Sequence, residues 1–152
     1  MKKITIIVII ILAWLDTHGQ VYKYKTYERA LVSTNEKVET TRFHVLVVLD
    51  LTNMSLDIYL TDPIHIDIVN AHLNNENNAN VSMLGIDELG RKVIIEFVMF
   101  KSDNNSNDTK LSYYEALQNA YKTADSEYMN MSLSWPTVYN FWVGYKMKAI
   151  IN

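Results

Sequence analysis

Asp57, Tyr59, His65 and Asp67 place two carboxylates, a phenol and an imidazole at alternate positions of two neighbouring apolar–polar runs, with His72 just beyond. Carboxylates and imidazoles exchange protons near neutral pH and ligate divalent metals. Four such side chains on one face could supply an acid and a base, or hold a metal ion. A solvated sheet face carrying ordinary polar residues gives the same pattern, so local spacing by itself is weak evidence of catalysis. His44 and His18 have no partner nearby in the sequence.

A second constellation is aromatic: Trp135, Tyr139, Phe141, Trp142 and Tyr145 lie within a single short stretch. Flat apolar faces with a polar edge can stack on a sugar or pack against a partner, and they also fill the cores of small barrels and sandwiches. Most of these rings are expected in the core. A binding role requires at least two of them to be accessible and adjacent. Tyr59, His65, Trp135, Tyr139 and Trp142 are therefore the candidate ligand-binding residues, and no catalytic or metal-ligating residue is assigned.

Other chemistry is poorly supported. Asp103, Asn105 and Asn107 match the first, third and fifth positions of a calcium loop, but Asp108 stands where glycine is required and Tyr114 where the bidentate glutamate belongs. The chain has four glycines, no Gly-rich phosphate loop and no Gly-x-Ser-x-Gly elbow. With no cysteine, a thiol nucleophile, a thiolate zinc site and a disulfide framework are all excluded. No cofactor is implied. A formal charge of −3 is small and of the wrong sign for a nucleic-acid partner.

The elements that must position these residues are strands. Between Phe43 and Val69 three alternating runs, Val45/Val47/Leu49, Leu56/Ile58/Leu60 and Ile64/Ile66/Ile68, are separated only by Thr52-Asn53 and Thr61-Asp62-Pro63. This predicts a three-stranded antiparallel meander with one buried face. A two-residue loop at Thr52-Asn53 opposes Leu49 to Leu56 and Val47 to Ile58. A three-residue loop at Thr61–Pro63 opposes Ile58 to Ile66, Tyr59 to His65 and Asp57 to Asp67, the last being a repulsive pair.

Val21 to Val32 reads as the first strand, with Tyr22 and Tyr24 alternating with lysines, and Ser33 to Thr41 reads as a connection. His72 to Asn80 reads as an asparagine-rich loop, and Lys101 to Thr109 as another. Val81–Ile86 and Lys92–Phe100 form a hairpin around Asp87-Glu88-Leu89-Gly90, with Gly90 supplying positive φ and Asp87 opposed to Arg91. Leu111, Tyr114, Leu117, Tyr121 and Ala124 have helical spacing, with Ser112 placed to cap. Met129 to Trp135 is a strand ended by Pro136, and VYNFWVGYKM is the closing strand.

Met1 to Gln20 reads as a targeting segment: Lys2-Lys3, an apolar run from Ile4 to Leu15, and small residues before a cleavage placed after Gly19. The apolar run is shorter than a spanning helix needs, and there is no cysteine for lipid attachment. Losing Lys2, Lys3 and Asp16 reduces 14 basic and 17 acidic residues to 12 and 16, a formal charge of −4.

The exported start, VYKYKT, the DIYL strand, the DELG hairpin and the aromatic WPTVYNFW resemble the small exported β-proteins of bacteria, whose functions are uncharacterised. The resemblance implies a β fold and no reaction, and the Leu111–Ala124 helix departs from it.

The sequence therefore predicts residues 1–19 as a signal peptide. Residues 20–152 form a single, mainly β domain, an antiparallel barrel or sandwich of about seven to eight strands with one short amphipathic helix (alternatively α+β). It is expected in the periplasm or secreted, with no retained membrane segment. The expected function is a non-catalytic binding or envelope-associated module for a small molecule, glycan or envelope protein. The alternative is a hydrolase or metal-assisted enzyme using Asp57, Tyr59, His65 and Asp67.

Overall fold

Among the described residues, apolar side chains recurring at every second position fold the chain into nine strands, joined by one helix. The computed structural model describes residues 21–32, 38–74, 80–98, 113–138 and 141–151. The targeting segment, the calcium-like stretch at Asp103–Asp108, the Ser112 cap and Tyr139 lie outside them. The strands are β1 (Val21–Val32), β2 (Val38–Arg42), β3 (Leu46–Asp50), β4 (Ser55–Ile58), β5 (Ile64–Asn74), β6 (Asn80–Asp87) and β7 (Lys92–Val98). After these come the helix α1 (Tyr113–Thr123) and then β8 (Met129–Ser134) and β9 (Trp142–Ala149).

Each strand pairs antiparallel with its neighbour in the order β1-β3-β4-β5-β6-β7-β8-β9, and β9 returns to pair with β1. Eight strands thus close into a barrel, and β2 adds to the far half of β1 as a ninth. Of the two architectures consistent with the sequence, the chain takes the barrel, which removes the open sheet edges that a sandwich would leave. Among the described residues no helix is long and apolar enough to cross a membrane.

The meander forms as its pattern requires. Val47 opposes Ile58 and Leu49 opposes Leu56, and all four are fully buried. The connection from β4 to β5 differs from expectation. Ile58 opposes Ile64, Leu56 opposes Ile66 and Asp57 opposes His65, so the turn spans residues 59–63 rather than three residues. The shift is by two residues, which keeps every apolar side chain on the inner face. It also replaces the repulsive Asp57–Asp67 pair with a carboxylate facing an imidazole.

Two polar stretches read as connections contain strand. Residues 38–42 form β2, whose five residues are all exposed, which is why no alternation marks it. β5 runs on through His72 to Asn74 because a bulge between Ile68 and Asn70 takes up Val69. Inward positions are Ile66 and Ile68 before the bulge and Ala71 and Leu73 after it, so the alternation restarts out of phase. The β6–β7 hairpin is as predicted. Gly90 has φ +75°, and Asp87 N–H donates to the Arg91 carbonyl at 3.0 Å.

The barrel interior is filled. Tyr24, Val47, Leu49, Leu56, Ile58, Ile66, Val81, Val93, Ile95, Phe97, Met131, Leu133 and Met147 are fully buried. Helix α1 covers the end of the barrel where β1 begins, burying Ala116 and Leu117. Tyr121 stacks edge-on against Tyr22 and Tyr24 and donates its hydroxyl to the Ile150 carbonyl. Leu117, Tyr121 and Ala124 face the core as their spacing predicts and Ala116 joins them, while Tyr114, expected on the same stripe, is 38% exposed. Thr26, a fully buried polar residue, donates to the Phe43 carbonyl at 2.7 Å and accepts from Val45 N–H at 2.9 Å. Its hydroxyl thereby fastens the bend between β2 and β3 to β1.

Candidate functional site

Three polar or aromatic areas stand out on the outer surface of the described residues. The first is on β4 and β5. Because Asp57 opposes His65, their side chains meet on the outside: His65 Nδ1 lies 2.6 Å from Asp57 Oδ1, and His65 Nε2 lies 3.2 Å from Asp67 Oδ1. Both ring nitrogens donate to carboxylates only in the imidazolium form. The Asp57 hydrogen bond, and more weakly that of Asp67, raise the His65 pKa against a smaller opposing effect of burial.

An imidazole held between two carboxylates presents no lone pair for proton abstraction or for a metal. The two carboxylate oxygens lie against different ring nitrogens rather than around one point. Among the described residues no group of three or more His, Asp or Glu side chains is arranged to hold a metal ion. Tyr59 is 53% exposed and is partner to neither ring nitrogen.

The second area is a depression of about 160 Å³ at the barrel end formed by the β4–β5 and β6–β7 turns, lined by Pro63, His65, Asp87, Arg91 and Trp135 among others. Asp87 organises it, accepting from Arg91 N–H at 2.8 Å, Arg91 Nε at 2.8 Å and Trp135 Nε1 at 3.1 Å. Burial pushes the Asp87 carboxyl up, but these donors together outweigh it and hold the group below its usual range. Trp135 is only 7% exposed. It braces the rim and packs on Phe141 at a ring separation of 5.9 Å.

The third area is a trough of about 320 Å³ on the outer wall where β8, β9, β1 and β2 run side by side. Outward positions of β9 are Trp142, Gly144, Lys146 and Lys148, since Val143, Tyr145, Met147 and Ala149 face in. Gly144 faces Ala30 on β1 and Ser132 on β8, so three small residues form a hollow floor. Trp142 leans over that floor: a Cβ on Gly144 would come within 2.8 Å of its ring. The indole is 38% exposed, and Glu28, Thr40, Asn130, Ser132 and Lys146 surround the hollow with polar groups.

Of the sequence candidates, His65 and Trp135 meet at the 160 Å³ depression and Trp142 lies in the larger trough, while Tyr59 joins neither. Among the described aromatic residues of the C-terminal stretch, Trp142 is exposed, Phe141 half-buried and Trp135 and Tyr145 buried, so the adjacent accessible pair that the sequence reading required of a binding role is not found among them, and Trp142 stands alone beside its polar rim. Ala30, Asn130, Ser132, Gly144 and Lys146 were not singled out from sequence. The available signal was the outward alternation Trp-Gly-Lys-Lys along β9, but the neighbours that complete the trough come from strands remote in the chain. Compared with protein-family models, curated proteins and solved structures, the chain matches none.

Proposed function

We propose that the chain is an exported, non-catalytic binding module that holds a saccharide on the outer wall of its barrel. The observation that carries this reading is Trp142, an exposed indole laid over Gly144 beside a hollow ringed by amide, hydroxyl and charged side chains. The axial C–H face of a sugar ring packs on such a flat apolar surface, while its hydroxyls need the mixed donors and acceptors that Thr40, Asn130, Ser132 and Glu28 supply. An external site is favoured because the inward side chains of the described strands are buried against one another. Export is the expectation from the Met1–Gly19 pattern.

The enzymatic alternative at Asp57, Tyr59, His65 and Asp67 has less support, because the imidazole is already closed between its carboxylates. The test uses the two indoles of residues 20–152, Trp135 and Trp142. Titration with a panel of neutral and acidic oligosaccharides should shift their emission, and Trp142→Ala should abolish the response and weaken calorimetric affinity about tenfold or more. A panel with no response, or a Trp142→Ala protein that binds like the parent, would overturn the proposal. Release of reducing ends from the same panel would restore the enzymatic reading.

A further inference from the structure

We infer that the saccharide is acidic, and that its carboxylate or sulfate groups are held by Lys25 and Lys148. This rests on the saccharide reading above and extends the same site along β9. From Trp142 to Lys148 the outward side chains form one line about 20 Å long, at about 3.3 Å per residue. It begins with a ring platform, crosses the Gly144 hollow and ends in two ammonium groups.

The lysine end is organised in a way that ordinary surface charge is not. Lys25 and Lys148 are directly opposed in the β1–β9 pairing, with Lys146 two residues along on the same face. Like charges set opposite one another on neighbouring strands repel. The whole chain is acidic, at −3, so this clustering is not a by-product of composition. The ammonium groups also stand over rings: Lys146 and Lys148 lie 4.5 and 4.9 Å from the centre of Tyr128, and Lys25 lies 5.8 Å from Tyr27. Tyr27 and Tyr128 pack edge-on at 5.3 Å, and His44 closes on Tyr27 at 5.6 Å.

Lys148 Nζ also donates to the Ser126 carbonyl at 3.2 Å. The rings and this carbonyl fix cations that would otherwise spread apart, which lowers the ordering cost of meeting an anion. The neighbouring carboxylates are Glu28, 3.9 Å from Lys146, and Asp125 and Glu127 on the turn that precedes Tyr128. Glu28 lies toward the hollow, where it faces sugar hydroxyls, and leaves the Lys25–Lys148 pair to the anionic group.

Two pairs of probes that differ in charge test this. One is a tetragalacturonate and its neutral methyl ester; the other is a sulfated maltotetraose and neutral maltotetraose. At least one acidic member should bind about tenfold tighter than its neutral counterpart at low salt. The preference should shrink as salt is raised to about 0.5 M, where screening acts within a few ångströms. In the Lys25→Gln/Lys148→Gln protein the preference should vanish while the neutral member keeps its affinity, and Trp142→Ala should lose both members.

Equal binding of both members of each pair by parent and variant would overturn the acidic assignment and leave the saccharide reading standing. Binding of neither, together with lysine-dependent capture by phosphatidylglycerol vesicles, would overturn both and make a lipid surface the occupant. No response to any of these probes would also overturn both.

Discussion

Along β9 the inward side chains Val143, Tyr145, Met147 and Ala149 are all at most 9% exposed, whereas the outward ones leave a hollow, an exposed indole, a lysine opposed to Glu28 and a second lysine, Lys148, opposed to Lys25 across the β1 pairing. The inner surface of this wall packs into the core. Its outer surface is not closed in that way. The Asp57–His65–Asp67 cluster lies on the same outer surface but behaves like the interior, since each charge faces its complement. The contrast teaches that polarity alone does not mark a binding surface. A cluster whose members already satisfy one another has little left to offer a ligand, while one whose members repel gains by meeting an opposite charge.

The most disruptive way to break the comparison is to enlarge a residue inside. Gly85 is buried beneath Ile66, whose methyl would overlap an added Cβ, with the Asp67 carbonyl 3.1 Å away. Gly85→Ala is expected to destabilise by about 1–3 kcal/mol in urea denaturation, as overpacking does, with saccharide affinity unchanged in the folded fraction. A cost under about 0.5 kcal/mol would show slack in the interior and reopen it as a place for a ligand.

The β4–β5 pairing shows how far the residues themselves could be read. Periodicity identified the strands, their inner faces and the Val47–Ile58 register, because a one-residue error would have turned the apolar set outward. It could not distinguish a three-residue turn from the five-residue one observed, because a shift of two keeps the same face buried. The chemistry at Asp57 would have decided it, since opposing His65 relieves the repulsion that opposing Asp67 creates.

The second half of β5 was hidden because Val69 is taken up in a bulge and resets the alternation. β2 was hidden because none of its residues is buried. The trough was legible only at Trp142. Its floor requires knowing that β9 closes on β1, and no local pattern reports a pairing between the two ends of a barrel.

A smaller effect sharpens the contrast on the outer surface. The His65 pKa is raised in the folded protein, so its contribution to stability is complete below the ordinary imidazole value of about 6.5 and fades as pH rises through the raised value. His65→Gln should therefore cost up to about 1 kcal/mol near pH 5.5 and close to nothing near pH 8.5, a modest figure because the side chain is 40% exposed and screened. Denaturation midpoints at the two pH values check it. A larger loss at the higher pH would mean that the ring is not held as an imidazolium, and that the cluster is less self-contained than its geometry implies.

The smallest effect bears most directly on the lysine strip. Opposed like charges cost about 0.2–1 kcal/mol, so removing one should stabilise the fold at low salt. Lys148→Gln is an ambiguous probe, because it also gives up the Ser126 carbonyl and the Tyr128 ring, the latter worth about 0.5–1 kcal/mol at an exposed site. Gain and loss should nearly cancel there. Among the described residues Lys25 has only the more distant Tyr27 ring to lose, so Lys25→Gln should raise stability by a few tenths of a kcal/mol, an increment that disappears near 0.5 M salt. In a double-mutant cycle the two substitutions should stabilise less together than the sum of each alone, since either one removes the same repulsion. Additive effects would mean that Lys25 and Lys148 do not sense one another, and the strip would then be a solvated face with no strain for an anion to relieve.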